Sequence, residues 1–115
     1  MKDAFLTGSQ MYGTPTAESD IDLVLSMSVS DTAKLVSVLN SKGERPEYVD
    51  YGDGQSSMKI GSLNLLICHT DNRYISWALG TQVLMRESLN GFKPVTRDYA
   101  VLVFSKLKEM LGLKQ

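Results

Sequence analysis

The sequence predicts an α+β fold, a small mixed β-sheet with helices packed on one side, in a single domain spanning residues 1–115. Three observations carry this. Short apolar or alternating runs of strand length crowd the first two-thirds of the chain, at Ala4 to Thr7, Ile21 to Ser26, Tyr48 to Tyr51, Ser57 to Ile60 and Leu63 to Cys68. Helix-length segments with capping residues at their ends separate or follow them. At 115 residues, about two-thirds of the unfolded surface can be buried, enough for one core and not two.

The elements follow in order. Ala4 to Thr7 stops at Gly8-Ser9 and reads as a strand ending in a turn. Gln10 to Ser19 is polar and carries Gly13, Pro15 and Glu18. Ile21 to Ser26 is rich in Leu and Val, a good strand. Ser28 to Asp31 offers N-caps for a helix over Thr32 to Ser41, which sets Leu35, Val36 and Leu39 on one face and stops at Gly43. Gly52-Asp53-Gly54 is a turn, and Gly61-Ser62 splits the next two runs into a hairpin. Asp71-Asn72 can cap a helix from about Arg73 to Leu89, closed by Asn90-Gly91. A last helix runs from about Thr96 to Leu111, with Leu102, Leu107, Met110 and Leu111 mostly inward.

Composition excludes several classes. Hydrophobic residues at 43% and charged residues at 22% are ordinary globular usage, which argues against disorder. The longest apolar run, Tyr99 to Phe104, is far short of the ~20 residues a bilayer span needs. Residues 1–6 lack a signal-peptide pattern, and Cys68 is the single cysteine, so neither an internal disulfide nor a cysteine metal cluster can form. These features lead to an expectation of the cytoplasm. The net charge is −1, and the densest positive cluster, Lys106, Lys108 and Lys114, reads as a solvated helix face. Long nucleic acid is therefore not an expected partner, whereas a small phosphorylated ligand or a protein is compatible.

The chemistry concentrates in Phe5 to Leu25, FLTGSQMYGTPTAESDIDLVL. Asp20 and Asp22 are two apart, so in a strand both carboxylates leave one face, with Cα atoms roughly 6.5–7 Å apart. Such a pair in an apolar strand repels itself and resists burial, so it marks either an edge strand whose outer face is merely polar or a divalent cation between the two. Mg²⁺ characteristically takes one or two carboxylates, waters and substrate phosphate oxygens. It supports in-line phosphoryl or nucleotidyl transfer. Gly8-Ser9 at a strand end presents backbone N–H groups and a hydroxyl to an anion, and glycine lets the backbone approach closely.

The joint pattern G-S-x₃-G-T-x₄-S-D-I-D-L resembles the signature of the DNA polymerase beta-like nucleotidyltransferase superfamily, and within it the small stand-alone members. The motif covers about a fifth of the chain. The resemblance implies the polymerase beta-like palm fold. It implies that Gly8 and Ser9 contact the phosphates of a nucleoside triphosphate, with Gly13 and Tyr12 beside them. It also implies that Asp20 and Asp22 hold Mg²⁺ and that Ser19 fixes the turn before the strand. Tyr12 stands where many relatives carry arginine. A tyrosine there stacks on a base, bonds a phosphate, or packs as a hinge. The family's third carboxylate comes from a later strand, and its expected position here is Asn64, an amide that can ligate a cation but brings no charge and is no base. Asp50, Asp53 and Asp71 are substitutes to weigh from the loops.

Weaker candidates lie outside the motif. His69 could bond a phosphate or hold no special role. Cys68 reads as core, and Trp77 with Tyr74 and Leu79 reads as the buried side of a helix or a base-stacking face. Lys59, on the opposing hairpin strand, faces phosphates or solvent. The expected activity is transfer of a nucleoside monophosphate, AMP from ATP, to a hydroxyl acceptor with release of pyrophosphate. With little room for an acceptor domain, a protein acceptor such as a toxin partner is preferred. The short length resembles toxin–antitoxin and bacteriophage-encoded members. The alternative is a degenerate nucleotidyltransferase fold that binds a partner or inhibits it without turnover. A nuclease or phosphatase using the same acids leaves Gly8-Ser9 unaccounted for.

Overall fold

The computed structural model describes residues 3–14, 20–91 and 94–113. Ser19 and Lys114, both singled out above, lie outside them. The elements run β1 (Asp3–Thr7), α1 (Ser9–Tyr12), β2 (Ile21–Ser26), α2 (Val29–Ser41), β3 (Glu47–Gly52), β4 (Gln55–Ile60), β5 (Leu63–Cys68), α3 (Asp71–Gly91) and α4 (Arg97–Met110). The five strands form one mixed sheet in the order β1-β2-β5-β4-β3. The β2–β5 pair is parallel and the other neighbours are antiparallel.

Register decides what each face carries. Asp22 pairs with Asn64, and Leu23 with Leu65. Because side chains alternate, Asp22, Val24 and Ser26 share one face with Asn64, Leu66 and Cys68. Leu23, Leu25, Leu65 and Ile67 share the other. The β2 and β5 strands thus carry apolar side chains on both faces, and both faces must be covered. This corrects the expected one-sided arrangement. Leu35, Val36 and Leu39 of α2 pack on Leu25, Met58, Leu65 and Ile67 beneath the sheet. The α3–α4 pair covers the opposite face. There Thr81 hydrogen-bonds Thr7 (Oγ1 to Oγ1, 2.6 Å), and the Tyr74 ring meets Phe5 edge-on at 5.3 Å.

The ends of the elements follow side-chain capping. Ser28 Oγ accepts from Asp31 N at 3.0 Å, so α2 starts three residues before Thr32. The expected Asp71-Asn72 cap of α3 moves one residue back. Thr70 Oγ1 accepts from Arg73 N at 3.3 Å, and Asp71 is already helical. Thr96 caps α4 by accepting from Tyr99 N. On α4 the inward stripe is Ala100, Val103 and Phe104, while Leu102 is 56% and Met110 79% exposed, against the expectation for both. Gly80 explains the choice. A Cβ there would run into the Phe104 ring, so α3 is notched at the one point where that ring seats. Phe104 then sets the rotation of α4 and turns Leu102 and Met110 outward.

Candidate functional site

The site lies on the α3–α4 face, at the end of the sheet where β1 stops. Gly8 adopts φ 74, a conformation that side chains rarely take, and a Cβ on it would strike Asp22 Oδ2. The turn after β1 therefore sits directly against the β2 carboxylate. Gly13 serves the same turn from its far end. A Cβ on it would lie 2.9 Å from Ser9 Cα. Gly13 is thereby needed for the tight path of the chain as well as lining the cavity.

Thr7, Gly8, Ser9, Tyr12, Gly13, Thr14, Asp22 and Asn64 line one side of a cavity of about 520 Å³. Leu66, Trp77, Val95, Ala100, Val101 and Phe104 give it an apolar wall, and Arg97 stands on its α4 side. The Trp77 and Phe104 rings meet tilted at 49° with centroids 4.7 Å apart, and the Trp77 indole N–H donates to Gln55 Oε1 at 3.3 Å. Tyr12 is half-buried against the Leu84, Ala100 and Phe104 cluster, and its carbonyl accepts from Val95 N at 2.8 Å. Burial pushes its phenol pKa up, opposed by a hydrogen bond with Thr7 and reinforced by the charge of Asp22. Its hinge-packing role is thus structural, and the same ring borders the cavity.

The two acids have partners of their own. Asn64 Nδ2 donates to Asp22 Oδ1 at 3.0 Å. Asp20 Oδ2 lies 3.2 Å from Lys59 Nζ, a pair open to solvent on both sides. Lys59 pairs with Asn64 in the β4–β5 ladder, so Lys59, Asn64 and Asp22 form a row across three strands. Burial raises the Asp22 pKa; donation from Asn64 lowers it, Asp20 raises it, and Lys59 lowers it. Asp22 and Asp20 are the carboxylates that could hold a Mg²⁺ completed by phosphate oxygens and water, and of the two only Asp22 lines the cavity. They do not supply the third carboxylate that a second ion would share. Among the described residues no cluster of three or more His, Cys, Asp and Glu is placed to hold a metal.

The other candidates fall elsewhere. Asp50 accepts from Gly52 N on edge strand β3, and Asp53 pairs with Arg73. Neither these two nor Asp71 lines the Asp22 cavity, so none replaces the missing carboxylate there. His69 is at the opposite end of β5. Its Nδ1 donates to the Met27 carbonyl at 2.8 Å, and its Nε2 therefore accepts from Ser56 Oγ at 2.6 Å in the neutral ring. It fastens β2 to β4 and takes no part in the cavity. Cys68 is buried, and its thiol is pushed up to about 12 by that burial, which leaves it unreactive. Leu79 is exposed, unlike its neighbours Trp77 and Tyr74. Arg97 escaped the sequence reading. Its one local signal is a cation in the first turn of a helix, where the helix dipole disfavours it.

No family model, curated protein or solved structure matches this chain. Among the described residues no helix is long and apolar enough to cross a membrane.

Proposed function

We propose that the chain is a nucleotidyltransferase. It would bind a nucleoside triphosphate, ATP by preference, with Mg²⁺ at Asp20 and Asp22, and transfer the nucleoside monophosphate to a hydroxyl acceptor. The observation that carries this reading is the contact of the Gly8 turn with Asp22 at the mouth of a cavity whose other wall is apolar. A glycine turn, the Asp22 carboxylate packed against it and an aromatic wall occur within one site, with Asp20 two residues before Asp22. The Gly8-Ser9 turn would receive the phosphates and Arg97 would offer them a counter-charge. Trp77 and Phe104 would back the base. In the transfer, the acceptor oxygen bonds to the α-phosphorus, the α–β bridging oxygen departs with pyrophosphate, and the acceptor's proton passes to water, since Asn64 offers no base. Bound Mg²⁺ would supply charge neutralisation of the phosphates. A protein, such as a toxin, is the preferred acceptor, and the cytoplasm the proposed setting.

One observation favours a second reading, a degenerate module that binds a partner without turnover. Lys59 and Asn64 already satisfy Asp20 and Asp22 from within the chain. Calorimetric titration of triphosphates with and without Mg²⁺, beside a pyrophosphate-release assay with lysate as acceptor source, separates the two. Mg²⁺-dependent binding with pyrophosphate release, lost in Asp20→Ala/Asp22→Ala, supports transfer. Absence of triphosphate binding refutes it and leaves the module.

A further inference from the structure

A second cavity of about 390 Å³ opens on the same face of the sheet, and Leu66 and Trp77 line both. The first cavity presents Asp22 and Arg97, whereas the second presents Asp53 with two cations. Arg73 comes from the first turn of α3 and Lys108 from the last turn of α4. Arg73 is only 5% exposed. Its Nε donates to the Asp53 carbonyl at 3.0 Å and its Nη2 to Asp53 Oδ2 at 2.7 Å. Asp53 reaches it with both groups because it turns at φ 48 between Gly52 and Gly54. This engagement fixes the plane of the guanidinium. Lys108 is half-buried with Nζ 5.9 Å from the centre of the Trp77 ring.

At that distance the ammonium is attracted by the face of the Trp77 ring. Lys108 lines the same cavity as Arg73, and burial first and the Arg73 charge second lower its pKa. Two cations and one carboxylate leave the cavity lining with a net positive charge, which an anion would balance. An oriented guanidinium beside an ammonium suits a tetrahedral oxyanion, with Arg supplying direction and Lys charge.

We propose that the Arg73–Lys108 cavity is an anion subsite that holds a phosphate group carried by the acceptor, a phosphorylated side chain where the acceptor is a protein, whose hydroxyl then faces Asp22 across the Trp77 wall. The acceptor assignment rests on the transferase reading, whereas the subsite rests on Arg73 and Lys108 alone. Trp77 is the single tryptophan of the chain, so its fluorescence reports on both cavities. The test is titration of inorganic phosphate into the full chain without Mg²⁺, with acetate as comparator, in wild type, Lys108→Met, Lys108→Gln and Asp22→Asn. The expected result is saturable phosphate binding, weakened about tenfold or more in both Lys108 variants and changed less than about threefold in Asp22→Asn. Circular dichroism shows which Lys108 variant is folded, and either one suffices. No binding in wild type, or binding that ignores Lys108, overturns the subsite. An equal response to acetate overturns the phosphate assignment. Lys108-dependent phosphate binding in a chain that binds no Mg²⁺–triphosphate keeps the anion site and overturns its assignment to an acceptor.

Discussion

Asn64→Asp converts the neutral member of the Lys59, Asn64 and Asp22 row into a carboxylate, a third beside Asp20 and Asp22. In the wild type Asn64 Nδ2 donates to Asp22 Oδ1 at 3.0 Å, and the two residues are register partners on adjacent parallel strands. The aspartate replaces that donor with an acceptor in the same place. Two carboxylates about 3.5 Å apart, at an effective dielectric of about 20, repel by about 5 kcal/mol. The pair escapes part of this by keeping a proton. At pH 7 that costs no more than about 4 kcal/mol, since the proton must be held about three pH units above its ordinary value. Solvent at the cavity mouth screens the remainder, so the expected loss is about 2–4 kcal/mol, or roughly 8–15 °C in Tm for a domain of this length. Mg²⁺ should restore most of it in the variant and shift the wild type far less. Calorimetric melts at pH 7 in chelator and in millimolar Mg²⁺ measure both. An unchanged Tm would show that residue 64 does not face Asp22. A loss relieved at about pH 5 but not by Mg²⁺ would show a carboxylate pair that holds no metal, and would refute the reasoning.

Further outcomes are expected elsewhere. Lys59→Met removes the ammonium 3.2 Å from Asp20 and should raise Mg²⁺ affinity about three- to tenfold, read by calorimetric titration; an unchanged affinity would place the ion away from Asp20. Gly80→Ala improves helix propensity by about 1 kcal/mol yet drives a methyl into the Phe104 ring, so a net loss of about 1–3 kcal/mol in urea denaturation is expected, eased by Phe104→Leu. Burial and Asp20 hold the Asp22 pKa above its usual 3.8, so the folded state binds that proton more tightly than the unfolded one. Its contribution to stability is greatest below that value and declines as pH rises through the raised folded pKa. Asp22→Asn should flatten this decline in denaturation midpoints taken between about pH 4 and 7.

Much of the site was legible because it is local. Gly8-Ser9 and Asp20-Asp22 are read from a single stretch, and the two-residue Gly61-Ser62 turn fixes the Lys59–Asn64 pairing by counting. The central strands, nearly unbroken in their apolar character, also held the signal for cover on both faces. What could not be read depends on distant partners. Gly80 looks like a weak point in a helix until Phe104 meets it. Arg73 looks like a solvated first-turn residue until a turn 20 residues earlier supplies Asp53. Leu102 and Met110 fit a helical stripe as well as Val103 and Phe104 do, and only the notch in α3 selects between the two.

The placement of α2 on its own face gives the molecule two separable halves. The Leu35, Val36 and Leu39 layer shares the sheet with the cavities but none of their lining. Changes under α2 can therefore tune how firmly the domain folds, while the α3–α4 side drifts in what it binds. A chain built this way can accumulate stability on one surface and spend mutations on the other, so new specificities can arise without first dismantling the fold.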